Sequence, residues 1–237
     1  GDIEVHGSVG RCNLKAGGNI ISQSGIMGRD IGVIEAGKSL YAKFIENASS
    51  VNVNDYVIVQ DGIVNSNVTA KKRILLQGKR AQILGGHLFA TEEISAKTVC
   101  SSGGNETILE VGLDPQLKQR MTELVSTKET LGRELEAINL DIQTLDNYLK
   151  ARRALSKDKQ DLLTEKCNRR DEITEEIKNS EEELQDIQTR LHELKTIGKV
   201  SVSGTVYAGT KILVRDVKDE VRADVKSVTF FYENGFV

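Results

Sequence analysis

The chain has 237 residues, 38% hydrophobic, 28% charged and 4% aromatic, with no Trp and a formal net charge of -3 at pH 7. This length can build one large domain or two modest ones with a substantial core, and the composition excludes a disordered chain. The weakly acidic balance excludes a general attraction to nucleic acid or anionic lipid, and no apolar run approaches the roughly 20 residues of a membrane span.

Residues 1 to 112 are rich in Gly, Val, Ile, Asn and Ser and contain no Pro. Short β-branched runs at Ile3–Val5, Val33–Ile34, Val51–Val53, Tyr56–Val59, Ile74–Leu76 and Ile83–Leu84 alternate with Gly, Asn and Asp turn signals. A small or branched apolar residue recurs four places before a larger aliphatic one. The pairs are Ala16/Ile20, Ala36/Leu40, Val53/Val57, Ala70/Ile74 and Ala90/Ile94, then Ala208/Ile212 far downstream. Successive steps of 20, 17, 17 and 20 residues mark stacked coils of a solenoid.

An aliphatic every six residues would mark a left-handed hexapeptide helix. The hexad from Val68 reaches Ile74 but then lands on Arg80, Gly86 and Glu92. Coils of variable length predict a right-handed parallel β-helix with about three strands per coil; a β-sandwich is the alternative. The steps Ala16-Gly17, Ala36-Gly37 and Ala208-Gly209 read as corners, where a side chain would clash or φ turn positive.

From Asp114 the composition changes to Glu, Lys, Leu, Gln and Arg. Asp114-Pro115 is a helix start, with Asp as cap and Pro at the first helical position. A seam of alternating four- and three-residue steps runs Leu117, Met121, Leu124, Lys128, Leu131, Leu135, Ile138, Ile142, Leu145, Leu149. A second seam runs Leu163, Lys166, Arg170, Ile173, Ile177, Ser180, Leu184, Ile187, Leu191, Leu194, with Ser156 as a cap before it. The short connection predicts an antiparallel coiled-coil hairpin, with arms of about 38 residues reaching roughly 57 Å. One continuous helix pairing in trans is the alternative.

The segment VSVSGTVYAGTKILV predicts a return to the solenoid, so that 1–112 and 197–237 form one discontinuous β-helix domain with 114–195 inserted. Phe230, Phe231 and Tyr232 close the chain. A solenoid must cover its last coil, which predicts a hairpin cap around Asn234-Gly235; a dimer contact through Phe230 or Phe231 is the alternative.

Signals for chemistry are sparse. Cys12, Cys100 and Cys167 are odd in number and far apart, predicting free thiols in a reducing compartment. His6, His87 and His192 form no ligand-spaced pair, and there is no phosphate loop. The expectation is no enzyme, no cofactor and no metal. Asp55, Asp61, Lys71, Lys72, Arg73 and Lys79 are the groove that a carbohydrate-active β-helix enzyme would need. The hairpin tip is locally basic: Arg152, Arg153, Lys157 and Lys159 are the candidate docking residues for an acidic protein partner, with a solvated tip as the plainer reading. The start at Gly1, without Met, predicts a piece of a longer protein.

The order of parts is distinctive: GDIEVHGSV opens the β-helix, TILEVGLDPQLKQRM enters the coiled coil, and KVSVSGTVYAGTKILV returns. It resembles the C-terminal part of the flagellar assembly protein A family, with Ala208 where that family usually has Pro. The resemblance implies a bacterial cytoplasmic, non-enzymatic scaffold or protein-interaction module, linked to flagellar assembly or polar placement. It implies protein partners, while charge and the lack of a long apolar run predict no nucleic acid and no membrane insertion. The β-helix is also similar to the C-terminal domain of a bacterial division inhibitor and to bactofilins, which leaves homodimerisation and polymerisation as further expectations.

Overall fold

The computed structural model describes residues 1–100, 105–152, 157–193, 198–215, 217–233 and 236–237, with side chains for all of these except 149, 151, 152 and 190–193. The chain divides into two compact units, Gly1–Gln116 with Leu194–Val237, and Leu117–Glu193.

The first unit is a β-solenoid. Its opening coil is β1 (Ile3–Val5), β2 (Ser8–Val9) and β3 (Asn13–Ala16), and the next is β4 (Ile20–Ser22), β5 (Gly25–Met27) and β6 (Val33–Ala36). Then β7 (Leu40–Glu46) spans two faces, followed by β8 (Ser50–Val53), and β9 (Tyr56–Ala70) runs round all three faces. The coils continue with β10 (Arg73–Leu76) and β11 (Gln82–Ala90), then β12 (Glu93–Ala96), β13 (Thr98–Val99) and β14 (Thr107–Val111). All the β-runs expected from the sequence form strands, because each carries an apolar residue at every second position for the interior.

Parallel pairing puts equivalent residues directly above one another. One interior column is Ala16, Ala36, Val53, Ala70, Ala90, Val111. A second is Ile3, Ile20, Leu40, Val57, Ile74, Ile94. A third is Val9, Ile26, Ile45, Ile63, Ile83, Val99. Most of these side chains are fully buried and form one continuous core. Stacked aliphatics at about 4.8 Å fill so narrow an interior without large aromatics, which accounts for their scarcity in the sequence.

Corners are held in two ways. Asn47, Asn65 and Gly85 have φ of 47°, 44° and 72°, left-handed values that Asn and Gly tolerate. At Gly37 φ is ordinary, but a Cβ would lie 2.4 Å from the carbonyl oxygen of Gly17 in the coil before it. Gly209 is the reverse case: its φ is +88° and the space around it is open. Buried hydroxyls satisfy corner backbone, as where Ser66 Oγ accepts from Ala48 N at 3.0 Å and donates to the Val64 carbonyl at 2.7 Å.

Two helices follow β14: α1 (Pro115–Arg152), 38 residues, and α2 (Lys157–Glu193), 37 residues. Asp114 Oδ1 accepts from Gln116 N at 2.9 Å, the expected N-cap. Every seam side chain described in the two helices is buried or half-buried, with Leu131, Ile138 and Ile173 at the centre of their core. Ion pairs link Arg120 to Glu183 (2.7 Å), Lys128 to Glu181 (2.6 Å), Glu134 to Arg169 (2.9 Å) and Asp141 to Lys166 (2.9 Å). As residue numbers rise along α1, those of the partners fall along α2. The polar seam residues Lys128 and Lys166 are explained by these pairs. Ser156, Leu194 and the side chain of Leu191 lie outside the described residues.

After the helices, β15 (Lys199–Val206) stacks on β12 and β13, and β16 (Lys211–Val214) stacks on β14. Here the structure corrects the sixth repeat pair. Ile94 is continued by Val200, and Ala90 by Val111 and then Val214. Ala208 is exposed and belongs to no column, while Ile212 sits above Leu109. The sixth pair is thus Val111/Val200, with both helices between its members. Two antiparallel strands end the unit: β17 (Val217–Glu220) on β16 and β18 (Val225–Phe231) on β15. They cover the last coil. Asn234-Gly235, the expected hairpin turn, lies outside the described residues, although Glu233 and Phe236 bridge on either side of it.

Candidate interaction surfaces

Four of the six charged residues expected to line a groove, Asp55, Lys71, Lys72 and Arg73, gather at one corner of the solenoid, in the order that stacking imposes. Asn54 and Asp55 end one coil's turn, Lys71 and Lys72 the next, and Thr91 and Glu92 the one after. Asn54, Asp55, Lys71, Lys72 and Thr91, with Asp114 and Gln116, line a cleft of about 530 Å³. Its charges are matched internally. Lys72 Nζ is 2.6 Å from Asp55 Oδ1 and lies over the Tyr56 ring at 5.3 Å. Lys71 donates to Gln116 Oε1 at 3.1 Å and sits 3.9 Å from Asp114. Arg73 donates to Glu92 at 2.6 Å. The hydrogen bond that Lys72 donates to Asp55 raises the Lys72 pKa above its ordinary value, and the one that Arg73 donates to Glu92 does the same for Arg73. These cations therefore stay charged at neutral pH and have no proton to exchange there. Arg73, Asp61 and Lys79, expected in the same groove, are not among the residues lining this cleft.

The basic tip is described in part. Arg152 ends α1, its side chain outside the described residues, and Arg153 lies wholly outside them. Lys157 is exposed at the start of α2, and Lys159 Nζ is 3.7 Å from the centre of the Tyr148 ring. Two cations in the first turn of a helix oppose the positive end of its dipole. Helix electrostatics thus account for Arg152 at a C-terminus but not for Lys157 and Lys159. Among the described residues no three His, Cys, Asp or Glu side chains gather as metal ligands.

One ionisable pair was not legible in the sequence. Glu110 is only 3% exposed, and its Oε2 lies 3.0 Å from Nε2 of His87, whose ring stacks on Phe89 at 6.3 Å. Residues 87 and 110 come together because β14 stacks on β11, and no local pattern announces that.

A family model for the Flagellar Assembly Protein A beta solenoid domain matches residues 1–237. The chain belongs to this family. Comparison with curated proteins and with solved structures gives no match. The motifs that carried the resemblance fall at the entry to and the return from the helices in this solenoid domain of the Flagellar Assembly Protein A family. The run TILEVG is β14 and its corner, DPQLKQRM opens α1, and KVSVSGTV is β15. Ala208, where the resemblance leads to an expectation of Pro, stands on the surface, and its N–H donates to Asp224 Oδ1 at 3.1 Å, a bond Pro could not make. Among the described residues no helix is long and apolar enough to cross a membrane.

Proposed function

We propose that this chain is a non-enzymatic scaffold and protein-interaction module serving flagellar assembly in the bacterial cytoplasm. In this reading it is a right-handed β-helix into which an antiparallel coiled coil, 114–195, is inserted. The observation that carries the reading is the point of insertion. A Cβ on Gly198 would lie 2.2 Å from the Gly112 backbone nitrogen, so the chain re-enters the solenoid where it left. The helices therefore add nothing to the stacking of the coils, and β12 continues into β15 as though they were absent. An 82-residue excursion that the solenoid does not need is best explained by a partner that does need it. The inverse order of the ion pairs and the covered seams support the coiled coil. The variable coil length supports right-handed winding.

Lys157 and Lys159, with Arg152 and Arg153, form the proposed contact for an acidic protein partner at the tip. The corner cleft favours no catalytic reading, since each of its cations already faces a carboxylate or an amide. Replacing 114–195 by a short linker joins two backbones already in contact. The product should keep the β-structure and lose capture of the native partner. A deletion that retained every interaction would refute the role of the arm. Homodimerisation is read by sedimentation over a range of concentrations. Unlimited growth with concentration would instead identify a polymer.

A further inference from the structure

Outward-facing positions of a parallel solenoid are normally polar, because they meet water along their whole length. One outward column here is not. Parallel pairing stacks Ile21 on Tyr41, Tyr41 on Ile58 and Ile58 on Leu75. Glu4 stands at one end of this stripe and Ser95, then Ser201, at the other. Each of the four follows an interior residue by one position, so each points to the opposite face of its strand. Tyr41 is 39% exposed, and the other three are partly exposed. Two positions further along the strands lie Gln23, Lys43, Gln60 and Gln77, all exposed. Lys43 has no ion pair or hydrogen bond among the described residues.

We infer that this stripe is a docking site for one amphipathic helix of a protein partner, lying along the solenoid axis, with carboxylates on the side that faces Lys43. Three arguments select that occupant. Parallel sheets are ordinarily covered on their apolar faces, and helices are what cover them. Rungs about 4.8 Å apart match the roughly 5.2 Å axial advance of a 3.5-residue seam, so four rungs accept four successive seam residues. The stripe is about 14 Å long, just under three helical turns, whereas two copies of the solenoid would need about 800 Å² from each partner for a stable interface. The inference rests on the reading of the solenoid as a scaffold but is independent of the inserted helices.

The test uses the full chain with labelled Ile and Leu methyls and a synthetic helical peptide of about 18 residues, with Leu at seam positions and Glu on both flanks. The expected result is a saturable shift at Ile21, Ile58 and Leu75. The Ile58→Gln/Leu75→Gln double variant should weaken binding about tenfold, the cost of losing two apolar contacts. Lys43→Glu should weaken it about threefold and restore a peptide with Lys in place of Glu. Both variants change outward residues, and an unchanged thermal midpoint confirms folding. If the double variant unfolds, the charge reversal alone decides. A scrambled peptide binding equally well, shifts elsewhere, no saturable shift, or a dimer abolished by the double variant would each overturn the inference. Failure of the peptide leaves the deletion of 114–195 as a separate test of the scaffold reading.

Discussion

Ile94 and Val200 are 106 residues apart, fully buried, and stacked on each other across the return from the helices. Replacing Ile94 with Ala removes three carbons. At about 0.8 kcal/mol each, the lost transfer energy is about 2.4 kcal/mol. The cavity raises the cost, since Val200 and Ile74 are held by their own strands and cannot collapse into it; the usual range for such a change is about 2–5 kcal/mol. Val200→Ala removes two carbons, or about 1.6 kcal/mol before its cavity. Because the two side chains share one column, the double variant should cost less than the sum of the singles, with a coupling of about 0.5–3 kcal/mol. Equilibrium urea unfolding gives the energies, and hydrogen exchange of β12 and β15 amides shows where protection is lost. Additivity to within about 0.5 kcal/mol, or full protection of β15 in Ile94→Ala, would refute a single core running through the insertion point.

Three further outcomes are expected. Gly37→Ala should destabilise the solenoid by about 1–3 kcal/mol in urea unfolding, because the new methyl meets backbone of the neighbouring coil; Gly209→Ala, in open space at φ +88°, should cost only about 1–2 kcal/mol of backbone strain. Ile173→Ala should lower the helical melting transition by circular dichroism, by about 2–5 kcal/mol, while β-strand amides keep their protection. Glu183 is held below the ordinary carboxylate pKa by the hydrogen bond from Arg120. Its contribution is therefore complete above the ordinary Glu range, near pH 4.3, and fades as pH falls through the lower folded value. An acid titration of helicity should show this loss in the parent and not in Glu183→Gln.

Much of the fold could be read from spacing. A column position recurs wherever a coil closes, so Ala16, Ala36, Val53, Ala70 and Ala90 announced themselves by period alone. The seams from Leu117 and Leu163 did the same with a helical period. Ala208/Ile212 is where spacing misleads. It carries the same four-residue step, yet Ala208 is on the surface, because the true continuation of the column splits into Val111 and Val200. A pattern matched within one segment cannot detect a pair whose members lie on opposite sides of two helices. The candidate surfaces were less legible still. Asp55, Lys71 and Lys72 could be suspected, but not the pairing of Lys72 with Asp55 and of Lys71 with Gln116 and Asp114.

What the sequence by itself determined is local and periodic: which residues face inward, where the coils turn, where helices replace strands. These follow from alternation along a strand and from helical period, which are properties of the chain alone. The tertiary structure decided what stacks on what. It placed Val200 on Ile94, Glu110 beside His87, and Ile21, Tyr41, Ile58 and Leu75 in one outward row. Those contacts depend on the length of every intervening coil and on the point where the helices return the chain, and neither is a property of any single segment.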